Sequence, residues 1–379
     1  MKVKKLLLIP ADAFVENEQD ALRFIPFVLA KSIKRKFQPT SVYDAELQFY
    51  GDLPAVLGHQ NVFSLGTYYP HFFSASVPEM CPYPSCHGTP TPTFVALPEA
   101  KALLREVDAI LISTRAGQHR KDRAAARDLV TKEARKLAIP IAMVDFCDHP
   151  EIYGAADKKK ELYNCSSQAA DFDFYFKKDL PLGYKTKAVF PLAPTPVRPE
   201  SYAFDQVFKK KSDIFYSGRL RCKAQADRNE VVALIRENFR KAVILEHESR
   251  KTFLTAHEYA ENLLQSNMAL SPSGISWDSF RHCEIGLSHG TALIAPKPYI
   301  ETTGPPLQDG VNAILYDTEF RDGQYYLKNA DELIEKIRYH LERPGEREKI
   351  AARWHGDIMS GHTIFARSKY IIDSIERAL

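Results

Sequence analysis

Nothing in this chain approaches the roughly 18 uninterrupted apolar residues of a membrane span, which argues against a membrane-crossing helix. Lys2, Lys4 and Lys5 precede a short apolar run, but Leu6 to Ile9 is too brief for a signal-peptide core and stops at Pro10. Cysteine is sparse as well: Cys81, Cys86, Cys147, Cys165, Cys222 and Cys283 lie scattered over the chain, without the density of a disulfide-stapled secreted domain. A reducing cytoplasm is the simpler expectation. Charge of one sign is also lacking, since 51 basic and 48 acidic side chains leave a formal +3. That balance excludes the strong basic bias of a dedicated nucleic-acid binder, so an anionic partner must be recognised locally. No internal repeat and no low-complexity segment is present.

What is present suffices for two cores. At 379 residues with 45% hydrophobic and 26% charged side chains, the chain is too long for one ordinary core, and two α/β domains are expected. Short apolar runs alternate with helical patterns, the sequence form of parallel sheets covered by helices. Val3 to Ile9, Val107 to Thr114 and Ile139 to Phe146 read as buried strands, and Lys121 to Leu137 as a helix. Tyr69 to Pro98 is proline-rich and aperiodic, and reads as a long excursion away from the core. Phe172, Phe174 and Phe176 alternate with Asp171, Asp173 and Tyr175, as in a half-buried strand. The four prolines between Phe190 and Tyr202 can neither donate to a ladder nor continue a helix, which sets a domain boundary near 195/196.

Beyond that hinge a second alternating series begins. Strands are expected at Ile214–Tyr216, Ala242–Leu245, Met268–Ser271 and Thr291–Ala295. Helices are expected at Arg228–Phe239, Ala256–Ser266, Asp278–His289, Ala330–Leu341 and Thr363–Leu379. Two α/β halves of similar size, 1–195 and 196–379, suggest a cleft enzyme, because ligands prefer domain interfaces and the carboxyl ends of parallel strands.

The most informative stretch is Ser271 to Pro296, SPSGISWDSFRHCEIGLSHGTALIAP. Ser273 and Gly274 lie in a small-residue loop ahead of a helix, where backbone N–H groups and the helix dipole favour an anion such as phosphate. Asp278, Arg281 and Glu284 follow at spacings of three and share roughly one polar face. A carboxylate there suits ribose hydroxyls and Arg281 suits a diphosphate. An ordinary solvated helix face fits the same spacing.

This segment resembles the donor-binding motif of GT-B glycosyltransferases, especially the exostosin-like and spore-maturation-protein-like families. Asp213 to Arg219, DIFYSGR, resembles the strand and Ser-Gly-Arg loop of those families, and Asp309 to Tyr316 their usual last strand. The resemblance covers about the second half of the chain. It implies an α/β GT-B fold, two Rossmann-like domains facing a cleft, with the last helix crossing back to the first. It also implies transfer of a sugar from a nucleoside diphosphate sugar to the hydroxyl of a glycan or lipid-linked glycan. No cofactor beyond the nucleotide sugar and no obligatory metal are expected. Ser217, Gly218, Arg219 and Arg221, with Lys223 close by, then become donor-binding candidates beside Ser273, Gly274, Asp278, Arg281 and Glu284, since a guanidinium grips phosphate bidentately. Many retaining members carry a second glutamate eight residues before the one at Glu284, and here that position is Ser276. An inverting displacement is therefore the better expectation, and it needs a general base on the acceptor side. Asp12, just past the first strand, is one candidate, and Asp148 with His149, just past another, is the second. Each also fits a helix cap or loop residue.

Three further features stand beside this reading. Asp171 and Asp173 form an Asp-x-Asp that would serve a metal-dependent transferase, although a metal needs more oxygen ligands than the pair supplies. Cys81, Cys86 and His87, with Cys147 and His149, could assemble a zinc site but lack paired CxxC spacing. The stretch Ala21 to Phe37 reads as a basic amphipathic helix that fits either core packing or contact with an anionic membrane surface. A GT-B-like module that binds glycan or nucleotide without catalysis is the alternative outside enzymes.

Overall fold

The computed structural model describes residues 2–10, 14–15, 51–65, 67–68, 92–113, 121–145, 172–184, 188–193, 208–220, 225–248, 254 and 256–379. The described chain divides into two compact units, one holding the residues before Ala193 together with the C-terminal helix, the other running from Ala193 to Thr363. Among the described residues no helix is long and apolar enough to cross a membrane.

The first unit carries β1 (Leu6–Ile9), the short antiparallel pair β2 (Phe14–Val15) and β4 (Thr67–Tyr68), helix α1 (Leu53–Leu57) and β3 (Val62–Leu65). It continues with β5 (Thr93–Val95), α2 (Leu97–Leu103), β6 (Ala109–Ser113), α3 (Lys121–Lys136), β7 (Ile141–Asp145), β8 (Phe174–Lys177) and β9 (Val189–Pro191). Seven strands form a parallel sheet in the order β5-β3-β1-β6-β7-β8-β9. The strands read as continuous apolar runs because both faces are covered. Leu7, Ile9, Ile110, Ile112 and Met143 pack toward Val130 and Ala134 of α3 and Ala100 of α2. Leu6, Leu8, Leu111 and Val144 point the other way, toward Leu53 of α1 and toward Ile371, Ile372 and Ile375 of the C-terminal helix (Ile364–Ala378). The four-residue spacing of Ile371 and Ile375 is what lays that helix on this sheet. Glu376 fixes its end, accepting the Val3 N–H at 2.9 Å.

The second unit carries β10 (Ser212–Gly218), α4 (Ala226–Asn238), β11 (Ala242–Glu246), α5 (Ala256–Leu264), β12 (Ser266–Leu270), α6 (Phe280–Leu287), β13 (Ala292–Pro296) and β14 (Ile314–Tyr316). The hairpin β15 (Thr318–Arg321) and β16 (Gln324–Leu327), then α7 (Ala330–Glu342) and α8 (Pro344–Gly361), complete it. Its parallel sheet has the order β11-β10-β12-β13-β14. One face packs Phe215, Ala269 and Leu293 against Leu263, Ile285, Trp354 and Ile358. The other packs Ile214, Met268 and Ile294 against Val231, Ile235, Leu333 and Ile337. Two Rossmann-like sheets in an α/β chain are thus present.

Several sequence expectations need correction. Thr93 to Val95 belongs to the sheet edge, beside β3, and is not part of an excursion; Val95 is buried. The strand β8 is buried on both faces and not on one, and even Lys177 is enclosed. The helix expected from Asp278 starts only at Phe280 and ends at Leu287. Helix α8 went unread because its glycines and charges hide the stripe Ile350, Trp354 and Ile358. That stripe crosses α6 so closely at Gly286 that a Cβ there would stand 2.6 Å from the Ile358 side chain and 2.8 Å from that of Trp354. Only glycine allows this approach.

Candidate functional site

In the second sheet the chain leaves β10 toward β11 on one side and later returns to β12 on the other. Such a switch point opens a crevice outside the carboxyl ends of the two strands, where open α/β sheets bind ligands. Two loops border it, one after Gly218 and one after Leu270. Arg228, in the first turn of α4, ties them together: its Nε donates to the Ser273 carbonyl at 2.9 Å and its Nη1 to the Arg219 carbonyl at 3.1 Å. Gln225, at the cap of α4, adds a second tie, its N–H donating to the Gly274 carbonyl at 2.9 Å and its Nε2 to the Ile275 carbonyl at 2.8 Å. The sequence reading missed both residues. A cation in a helix's first turn opposes the dipole, and that mismatch was the available signal for Arg228.

The loop itself corrects the reading of Ser273 and Gly274 as an anion cradle. Ser273 is fully buried, and its Oγ and N–H donate to Oδ2 of Asp227 at 3.0 and 3.3 Å. Tyr316 donates its hydroxyl to the same oxygen at 2.7 Å. Burial raises the Asp227 carboxyl pKa, and these donors oppose the rise. A carboxyl group with no exposure needs such donors, and the loop supplies them. The Gly274 N–H is likewise spent, on the Ser276 carbonyl at 2.7 Å. Ser279, not the earlier serines, caps α6, accepting the Arg281 N–H at 3.3 Å.

Asp278, Arg281 and Glu284 do not form a solvated helix face, because α6 begins after Asp278 and its residues from His282 to Leu287 are buried. Asp278 instead lines a pocket with Trp277, His282, Cys283, Trp354 and His362. Within that wall His282 bonds through Nε2 to the Trp277 carbonyl at 3.2 Å, and burial lowers its pKa to about 3, which keeps the ring neutral. Glu284 is 8% exposed, and burial pushes its carboxyl up to about 8. Arg281 reaches back across the switch point: its Nη2 donates to the Ser217 carbonyl at 2.8 Å, and its guanidinium stands 5.2 Å from the Tyr216 ring centre. The Ser217 hydroxyl bonds His247 Nε2 at 2.7 Å, a partner the sequence did not suggest. Gly218 is demanded by this packing, since a Cβ would fall 2.6 Å from the Tyr216 hydroxyl. The structure therefore brings Ser217, Gly218, Arg219 and Arg281 to one edge, with Arg228 and His247 added.

Asp12, Asp148, His149, Arg221, Lys223, Asp171, Cys81, Cys86, His87 and Cys147 lie outside the described residues, as does the stretch from Ala21 to Phe37. The strand before Asp12 is β1, which lies between β3 and β6 and so marks the first sheet's own switch point. Asp173 precedes β8, at the amino edge of the sheet, where its Oδ2 accepts the Ile141 N–H at 2.7 Å and Arg135 Nη1 at 2.6 Å. It tethers strands there, at the edge opposite the carboxyl ends. Cys283 is a buried thiol. Among the described residues no group of three or more His, Cys, Asp or Glu side chains could hold a metal ion. A feature unsuspected from sequence lies at the carboxyl edge of the first sheet: Lys177 Nζ stands 3.2 Å from Asp145 Oδ2, both side chains are 0% exposed, and the Tyr175 hydroxyl donates to the same oxygen at 2.6 Å.

Fold and site together define an α/β chain with two parallel sheets, each opening at a switch point. Among solved structures the chain is similar to Anabaena HepE in complex with UDP and glucose, at 8% identity over 99% of each chain with a TM-score of 0.44. It is also similar to an alpha-glucosyltransferase in complex with UDP, at 11% identity over 97% of this chain and 99% of that one, TM-score 0.47. Sucrose-phosphate synthase from Thermosynechococcus elongatus matches at 10% identity over 98% of each chain, TM-score 0.41. No family model matches the chain, and no curated protein sequence does.

Proposed function

We propose that this protein is a GT-B glycosyltransferase that moves a sugar from a nucleoside diphosphate sugar to a glycan hydroxyl, by inversion and without an obligatory metal. The observation that carries the reading is the juxtaposition, at the second sheet's switch point, of the Ser217–Gly218–Arg219 loop with Arg281 of α6. Cations gathered where open α/β sheets take ligands suit a diphosphate. On this reading Arg219 and Arg281 neutralise the diphosphate and Glu284 accepts ribose hydroxyls. Asp12, or Asp148 with His149, takes the proton from the acceptor hydroxyl as the bond to the anomeric carbon forms and the nucleoside diphosphate departs. The inner ties of Ser273, Gly274, Arg228 and Gln225 hold the loop in shape and do not touch the donor.

A panel of nucleotide sugars tests this by thermal shift and by turnover. A donor at 100 times its dissociation constant should add about 2.7 kcal/mol of stability. Turnover surviving in chelator supports metal independence, and turnover lost in chelator refutes it. Stabilisation by a nucleotide with no transfer to any glycan would make the chain a binding module instead.

A further inference from the structure

A lone apolar side chain on a protein surface is ordinary, but an exposed ring held in place by a stack of other rings is not. The hairpin β15–β16 carries such a ring. Its two-residue turn, Asp322–Gly323, has positive φ at both positions, 51° and 77°, which suits the right-handed twist of the two strands. Phe320 pairs across the ladder with Tyr325, their ring centres 4.9 Å apart, and Tyr325 stacks in turn on Tyr299 at 3.5 Å and 10°. Tyr299 follows β13, so the three rings run from the carboxyl edge of the second sheet out to the hairpin. Two side chains hold β16 in place: Gln225 Oε1 accepts the Tyr325 N–H at 2.9 Å, and Glu230 Oε2 accepts the Leu327 N–H at 2.7 Å. These ties order the stack before any ligand arrives, which lowers the entropy that binding must overcome. The outermost ring nevertheless stays in water, Phe320 being 64% exposed.

We propose that this stack is a carbohydrate-binding platform, in which Phe320, backed by Tyr325 and Tyr299, lies against the C–H face of a pyranose ring in a glycan chain. A pyranose presents apolar C–H groups on its face and hydroxyls at its rim, which matches an aromatic ring set among polar groups. The residues exposed around Phe320 are Glu319, Arg321, Asp322 and Gln324, all able to bond hydroxyls. Size argues against a protein partner, because at 64% exposure a phenyl side chain offers about 100–150 Å², well short of the roughly 800 Å² per side of a stable interface. Charge argues against an anionic bilayer, since the carboxylates of Glu319 and Asp322 flank the ring and the Arg321 guanidinium already pairs with Glu319 at 3.5 Å. The platform lies outside the donor site proposed above and does not depend on it. That it holds the outer rings of a long acceptor, away from the reacting hydroxyl, rests on the transferase reading.

The test records saturation-transfer NMR of maltohexaose, cellohexaose and chitohexaose with the wild-type chain and with Phe320→Ala, Phe320→Tyr and Leu182→Ala. Because Phe320 is exposed, Phe320→Ala should fold with a melting temperature near that of wild type. Its affinity for a hexasaccharide should fall about tenfold, the loss expected when one ring's apolar contact is removed. Phe320→Tyr keeps the ring and should keep the binding. Leu182→Ala removes an equally exposed side chain from the first unit and should leave the binding as it is. Undiminished binding in Phe320→Ala, an equal loss in Leu182→Ala, or no binding of any of the three glycans to wild type overturns the platform. So does a dimer, seen by sedimentation, that Phe320→Ala dissociates, for the ring would then serve a second copy of the chain. Binding that responds as described while no nucleotide sugar is turned over overturns the transferase reading and leaves the platform standing. Where transfer occurs, Phe320→Ala should abolish the KM advantage of a hexasaccharide acceptor over a disaccharide, and an advantage that is absent from wild type or survives the substitution overturns the acceptor role.

Discussion

At the carboxyl ends of β7 and β8 in the first unit, Asp145 and Lys177 neutralise each other out of contact with water. At the carboxyl end of β10 in the second, Arg281 leans over Tyr216 toward a backbone carbonyl with no carboxylate beside it among the described residues. Both edges belong to parallel sheets whose first strand lies at a switch point. The topology is shared, and the charge accounting differs. A neutralised pair fills its own space and holds strands together, while an uncompensated cation holds attraction in reserve for something that arrives. On the function proposed above, the second edge is the one suited to an anionic donor, and the acceptor and its base fall to the first.

The largest expected effect concerns that base. If Asp12 serves it, Asp12→Asn should cost roughly 10²–10⁴-fold in turnover while donor affinity stays near wild type, since the base meets only the acceptor. Initial rates beside donor calorimetry read both, and near-normal turnover would pass the role to Asp148 and His149. Next in size is the buried pair. Lys177→Met leaves the Asp145 carboxylate without its cation and should cost about 3–5 kcal/mol in urea unfolding, whereas the double change with Asp145→Asn should recover much of it. If the single variant is as stable as wild type, the pair does not organise that edge. Arg219→Ala should weaken donor binding and turnover together, each by about 10- to 100-fold, because a diphosphate is held in ground and transition states alike. Loss of turnover with donor affinity intact would remove Arg219 from the diphosphate.

The smallest effect is expected at Glu284 near neutral pH. Burial raises its carboxyl from 4.5 to about 8, so the folded protein holds a proton there that the unfolded chain releases. With more protons bound in the native state, stability contributed by this group is full below about 4.5 and declines as pH rises toward 8. Glu284→Gln abolishes that decline, so its melting temperature relative to wild type should climb across the same window. A ribose that needs the carboxylate must also draw the proton off, which costs about 1.4 kcal/mol for each unit by which the pH lies below the pKa. The substitution should therefore weaken donor binding only slightly at pH 7 and more at pH 8.5. A wild-type-to-variant affinity ratio constant with pH would contradict this assignment.

How much of this was legible beforehand follows from the range of the interactions involved. The strands β1, β6 and β7 and the helix α3 announced themselves, because apolar runs and helical periodicity are properties of consecutive residues. The short strand β5 did not, since prolines obscure the segment before it and only its pairing with β3 defines it. The hairpin β15–β16 was overlooked for a similar reason, its register resting on cross-strand partners. At the site, Arg219 and Arg281 were found from a motif, while Arg228, His247 and Tyr216 were not, because each meets a partner remote in sequence, Ser273, Ser217 and Arg281 respectively.

The sequence alone determined that two parallel α/β sheets would form and which short segment would lie at the second sheet's carboxyl edge, since burial patterns and small-residue loops are written locally. Only the tertiary structure decided which polar groups are spent and which remain available. Ser273 and Gly274 looked like an anion cradle until Asp227 and Ser276 were seen to take their donors. Arg281 read as a diphosphate ligand on a polar helix face, and the fold instead buried most of that helix and turned the guanidinium onto β10. Hydrogen-bond capacity is settled by whatever lies within about 3 Å in space, and chain order does not encode that distance.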